Sequence, residues 1–153
     1  MYQKILVPLD GSGLAECTLS HVKSLAKGGF AGEVTILNIV EIDIPWGNVE
    51  TGKGFDLNAL REAAFKSAGK YISELGSRLT SEGIKVKTDI IEANRPAETI
   101  TDYAREKKMD LIVMATHGNS GFKKLLLGSV SSGVLNQSSV PVLLIRPEAC
   151  RIS

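Results

Sequence analysis

Between Ala115 and Gly133 the chain reads ATHGNSGFKKLLLGSVSSG, directly after the apolar run LIVMA of Leu111–Ala115. Glycines such as Gly118, Gly121 and Gly128 let a backbone approach a ligand closely. Ser129, Ser131 and Ser132 stand where a helix would begin, and the first amides of a helix, with its dipole, favour an anion. Phosphate is the candidate anion. Asp10 closes the first apolar run, KILVPLD, with a carboxylate suited to ribose hydroxyls or to a water of a bound Mg²⁺. The same residues admit a purely structural reading. Gly118 would then end a tight turn, Gly128 bend the backbone, Ser129 cap a helix, and Asp10 cap the first helix through Asp10-Gly11-Ser12.

Two other segments imitate nucleotide loops and fail in detail. Gly47 to Lys53 fits the first seven places of GxxxxGK[ST], but Gly54 replaces the hydroxyl that holds magnesium. Gly11-Ser12-Gly13-Leu14-Ala15-Glu16 follows a strand as a dinucleotide fingerprint would, with Glu41 as a ribose acceptor, but Glu16 replaces the glycine that lets helix pack on strand. A nicotinamide enzyme is therefore the third-ranked reading. His117 lacks a second group at catalytic spacing and reads as a loop-fixing side chain. His21 reads as a packed core histidine. Cys17 and Cys150 lie far apart without metal spacing, so neither zinc nor a disulfide framework is expected.

The elements that must position these groups alternate regularly. Strands are expected at Lys4–Leu9, Glu33–Val40, Lys85–Ile91, Leu111–Ala115 and Val142–Ile145. Helices are expected at Leu14–Lys27, from Leu57 to about Leu79, at Pro96–Glu106 with proline in its first turn, and at Ser129–Gln137. This alternation implies an α/β fold: a five-stranded, mostly parallel, doubly wound sheet with helices on both faces. If strand four lies beside a central strand one, the crevice between their carboxyl ends is the switch point where ligands bind. Pro8-Leu9-Asp10 would then face Met114-Ala115 and the glycine segment. The long connection from Glu41 to Asp56, with Trp46, leaves the same ligand side and reads as a lid or a packed-down loop.

Composition bounds the function. At 153 residues one domain is expected over 1–153, and the formal charge of +1 lacks the clustered basic surface of a nucleic-acid binder. The short basic run Arg105-Glu106-Lys107-Lys108 reads as a solvated helix end. With no long apolar run and no signal peptide, no membrane partner is expected and the cytoplasm is the expected location.

KILVPLDGS, RPAETI at Arg95–Ile100, and DLIVMATHGNSGFKKLLLGSVSSGVLNQSSVPVLLIRP at Asp110–Pro147 resemble the universal stress protein family across nearly the whole chain. Its nucleotide-binding members carry G-x2-G-x9-G-[ST]; here Gly118, nine intervening residues and Gly128-Ser129 match, while Ala115 replaces the first glycine. Asn94 stands where the family usually has glycine two residues before Pro96. The resemblance implies a Rossmann-like or flavodoxin-like sheet of the adenine nucleotide alpha hydrolase-like kind, in order 3-2-1-4-5, and ATP or another adenine nucleotide, with Mg, in the crevice. It implies that Leu9 and Ile39 flank adenine, that Asp10 meets ribose and that Pro8 also belongs to the nucleotide site. Met114, Ala115 and Gly118 would line adenosine and phosphates, and Gly128, Ser129, Val130 and Ser131 would hold the phosphate tail. It further implies a homodimer through the last strand, Val140–Ile145, and at most a slow ATPase, so that nucleotide acts as a stress-response signal. The alternative is a nucleotide-free dimeric interaction module, also with a protein partner that the sequence does not name.

Overall fold

The computed structural model describes residues 1–44, 56–117 and 127–146. Trp46, the segment from Gly47 to Lys53, Gly118 and Cys150 lie outside the described residues. The elements in chain order are β1 (Tyr2–Leu9), α1 (Gly13–Glu16), α2 (Thr18–Lys27), β2 (Ala31–Val40), α3 (Leu57–Ser81), β3 (Val86–Glu92), α4 (Pro96–Glu106), β4 (Leu111–Ala115), α5 (Ser129–Gln137) and β5 (Val142–Ile145). The strands form one five-stranded sheet in the order β3-β2-β1-β4-β5, and every pairing is parallel. The expected fold class and strand order are thus observed.

Side chains alternate across each strand and build two cores, one per sheet face. Ile5, Val7 and Leu9 of β1 join Val34 and Ile36 of β2 beneath Leu19 and Val22 of α2 and Ile72, Leu75 and Leu79 of α3. On the opposite face Leu6, Leu37, Ile112 and Met114 pack under Ile100, Tyr103 and Ala104 of α4 and Val134 of α5. The central strands β1 and β4 are buried on both faces, which is why KILVPL and LIVMA read as continuous apolar runs.

Helix starts follow side-chain chemistry. The Ser12 hydroxyl accepts from the Ala15 amide at 3.0 Å, and Asp56 accepts from the Ala59 amide at 3.1 Å. Pro96 occupies the first turn of α4, where its missing N–H costs no helical bond. Two local expectations are corrected. The helix expected over Leu14–Lys27 is broken at Cys17 into α1 and α2, and its buried residues are Thr18, Leu19 and Val22, leaving His21 only half-buried. Cys17 is also disulfide-bonded, against the expectation that no disulfide is present.

Candidate nucleotide-binding site

The sheet opens at one place. The β1–β2 ladder runs to Leu9–Asn38 and the β4–β5 ladder runs to Ala115–Ile145, but β1 and β4 are in register only at Ile5–Leu111 and Leu6–Ile112. At the other end the Asp110 carboxylate clamps the pair, accepting from the amides of Gln3 at 2.7 Å and Lys4 at 3.0 Å. Beyond Leu6 comes Pro8, which has no N–H to continue a ladder. The carboxyl ends of β1 and β4 therefore form the two walls of a crevice at the point where the chain reverses direction across the sheet.

That crevice is a cavity of about 320 Å³, within the range of small-molecule sites. Pro8, Leu9 and Asp10 from the end of β1, Ile39 from β2, Met114 and Ala115 from β4, and Gly128, Ser129, Val130 and Ser131 from the start of α5 all line it. These residues, expected at the site from the sequence, are thus brought to one cavity; Ser132 does not line it, its amide being bonded to the Gly128 carbonyl, and Gly118 lies outside the described residues. Ala15, Glu41, Pro96, Ile100 and His117 line it too. Pro96 and Ile100 were within reach of the sequence, since RPAETI was singled out. Glu41 carried only the signal of an acid following a strand.

The geometry at the start of α5 rests on Gly128. Its amide donates to the Thr116 carbonyl at 2.7 Å, and a methyl group added at Gly128 would meet that same oxygen at 3.2 Å. The Ser131 hydroxyl also donates to the Thr116 carbonyl, with the Gly128 carbonyl 3.2 Å away. The two ends of the connection between β4 and α5 are thereby stapled together over one buried oxygen. The Ser131 hydroxyl hydrogen is thus committed to a backbone carbonyl, although Ser131 is among the residues that line the cavity. Gly128, not Ser129, is the N-cap of α5, and no side chain caps the helix. The helix ladder begins with the Ser132 amide on the Gly128 carbonyl at 2.9 Å, so the amides of Ser129, Val130 and Ser131, residues that line the cavity, have no helical partner among the described residues.

Ala115 fits without strain. Lys108 is the only described non-glycine residue with positive φ, so neither Ala115 nor Asn94 needs a glycine conformation. Ala115 instead ends β4 as a regular strand residue opposite Ile145. Asp10 is exposed at the cavity rim, and its Oδ1 accepts from the Ser12 amide at 2.9 Å. The turn that aims it depends on Gly11, whose φ of +82° excludes most side chains. Beneath it Tyr71 has its phenol pushed up by burial first, then by the neighbouring Glu16 carboxylate and the charge of Asp10, so it stays protonated near neutrality. The His117 ring contacts the Thr116 hydroxyl through Nδ1 at 2.9 Å. Among the described residues no three His, Cys, Asp or Glu side chains cluster as a metal site.

The model of the universal stress protein family matches residues 1–146. The chain belongs to that family. Universal stress protein MJ0577 of Methanocaldococcus jannaschii is 35% identical, with 95% of this chain and 96% of that protein covered. Its solved structure superposes with a TM-score of 0.77 at 33% identity, covering 95% of this chain and 96% of the other. The universal stress protein UspA of Lactobacillus plantarum also gives a TM-score of 0.77, at 26% identity over 95% and 98% of the two chains. Two more distant structures share the fold. A universal stress protein in complex with cAMP matches at 22% identity and TM-score 0.65, over 95% and 98% of the chains. The Archaeoglobus fulgidus protein in complex with dAMP matches at 21% and 0.62, over 94% and 98%.

Proposed function

We propose that this universal stress protein is a single domain that binds an adenine nucleotide, ATP being the principal candidate, in the β1/β4 crevice, and that occupancy regulates its interactions in a stress response. The observation that carries the reading is the glycine-capped start of α5, whose first three amides have no partner among the described residues, in a cavity that Leu9, Ile39, Pro96, Ile100 and Met114 also line. An apolar slot beside a cluster of N–H donors suits a flat base joined to an anion. Asp10 at the rim would accept ribose hydroxyls. A magnesium ion would depend on phosphate oxygens for most of its ligands, with Asp10 reaching it through water. That distant relatives are in complex with cAMP and dAMP supports the adenine class.

The chain's own groups favour retention of the nucleotide over turnover. The Thr116 carbonyl and the Ser131 hydroxyl are committed to each other, and the role assigned to His117 is to fix the loop. No helix of the described residues is long and apolar enough to cross a membrane, and a cytoplasmic protein is proposed; the Cys17 disulfide pulls against that location, since cytosolic thiols are kept reduced. The alternative reading, a dimeric interaction module independent of nucleotide, draws on β5. That strand is a sheet edge made of Val142, Leu143, Leu144 and Ile145, with Leu143 exposed.

Titration calorimetry of wild type and Gly128→Val with Mg-ATP separates the two readings. Saturable one-to-one binding lost at least tenfold in the variant supports the nucleotide site. Binding unchanged by Gly128→Val refutes it, because a branched side chain beside the Thr116 carbonyl cannot leave the cradle intact.

A further inference from the structure

The cavity is graded across the sheet, and one of its wall residues has no role in the account so far. The amides of Ser129–Ser131 stand at the end of β4, Asp10 at the end of β1, and Ile39 and Glu41 at the end of β2. Adjacent hydrogen-bonded strands are about 4.8 Å apart, so β2 lies about 10 Å from β4 where the sheet is paired, and farther at the carboxyl ends, where β1 and β4 part. That distance and that order, anion donors, then a carboxylate for hydroxyls, then an apolar wall, follow a nucleotide from phosphate through ribose to base. Glu41 is one residue beyond β2, in phase with Leu37 and Ile39, which pack on the face covered by α4 and α5. Exposed to solvent, it lines the same cavity as Ile39, Pro96 and Ile100 and follows Ile39 by two residues at the end of β2.

We propose that Glu41 is a specificity-determining residue: its carboxylate accepts a hydrogen bond from the exocyclic amino group of the base. A carboxylate only accepts, so it rewards a base edge that presents a donor and repels one that presents only acceptors. Adenine offers its 6-amino group; purine without that group offers ring nitrogens alone. The apolar neighbours supply stacking area for any purine, whereas Glu41 supplies the choice among them. Its negative charge also opposes the phosphates, which weakens every nucleotide alike and leaves the ratio between two bases untouched. The inference rests on the proposed nucleotide site.

The test compares Mg-ATP with the triphosphate of purine riboside, which differs only in lacking the 6-amino group, in wild type, Glu41→Ala and Glu41→Gln. Wild type is expected to prefer ATP about tenfold, the scale of one hydrogen bond to a charged acceptor. Glu41→Ala should bring the two ligands within about twofold of each other, and Glu41→Gln, a neutral acceptor, should keep part of the preference. Equal affinities in wild type, or a full preference retained in Glu41→Ala, overturn the role of Glu41 while leaving the site standing. Tighter binding of GTP than of ATP, run as a control, would overturn the adenine assignment, because guanine presents donors at different positions. Failure of both purine triphosphates to bind wild type would overturn the site and this inference together.

Discussion

Ser131 and Gly128 converge on one carbonyl, that of Thr116, and this shared oxygen fixes where α5 begins relative to the end of β4. Replacing Ser131 with alanine removes one of its two donors and should lower unfolding stability by about 1 kcal/mol, measurable by urea denaturation. ATP affinity should fall less than in Gly128→Val, because the Ser131 amide remains. A second residue-scale prediction concerns Glu33, almost fully buried on β2 between Lys87 at 3.0 Å and Lys85 at 3.4 Å. The hydrogen bond from Lys87, opposed by burial and aided by Lys85, holds its carboxyl below the usual value. A depressed carboxyl contributes stability above the unfolded-state value of about 4.3, and that contribution is lost as pH falls through the lower folded value. Glu33→Gln should therefore be less stable than wild type at pH 7, and the gap should close on acidification below about pH 4. A gap independent of pH would assign the effect to packing. At this scale the sequence was informative where chemistry is local. Asp10, Gly128 and the serine ladder were visible; the inward turn of the Ser131 hydroxyl was not, since its acceptor lies fifteen residues away.

Among the elements, α4 and α5 act as a pair. A methyl group placed on Gly133 would come within 2.6 Å of the Ala97 side chain, so the two helices touch nearly backbone to backbone. That contact sets Pro96 and Ile100 of the cavity lining relative to Ser129, Val130 and Ser131 at the start of α5. Gly133→Ala should destabilise the protein by about 1–3 kcal/mol through overpacking, despite alanine's better helix propensity, and weaken ATP binding by prising the walls apart. Adding Ala97→Gly should restore both; failure of the double variant to recover would show that the helices are not coupled through this contact. Four elements were legible to the residue, Pro96–Glu106, Leu111–Ala115, Ser129–Gln137 and Val142–Ile145, because proline or glycine punctuation and apolar periodicity agree there. The break at Cys17 was not, because Gly13–Lys27 keeps an unbroken helical pattern on either side of one turn residue.

For the whole molecule, the two edges of the sheet differ in a way that bears on assembly. β3 carries Lys87, Asp89 and Glu92, charges that discourage pairing, whereas β5 carries only Val142, Leu143, Leu144 and Ile145. A homodimer through β5 is the assembly proposed. Leu143→Lys should then shift sedimentation from dimer to monomer while ATP binding persists; a variant that stays dimeric would move the interface elsewhere. The alternation of strands and helices pointed to a parallel doubly wound sheet, while the order 3-2-1-4-5 came from the family resemblance, and the sheet has that order. The flank of β1 that faces β4 was the expected crevice once that order was assumed; how deep it opens was not legible, because that depends on the β1–β4 ladder ending at Leu6–Ile112. The central claim is that this crevice holds an adenine nucleotide. Its most direct test is to purify the protein without added nucleotide, denature it, and identify released small molecules by liquid chromatography and mass spectrometry, followed by Mg-ATP titration of any empty fraction. The account predicts an adenine nucleotide carried by the protein, or saturable binding of added ATP by the empty fraction. Protein that releases no nucleotide and shows no saturable binding up to millimolar Mg-ATP would contradict it.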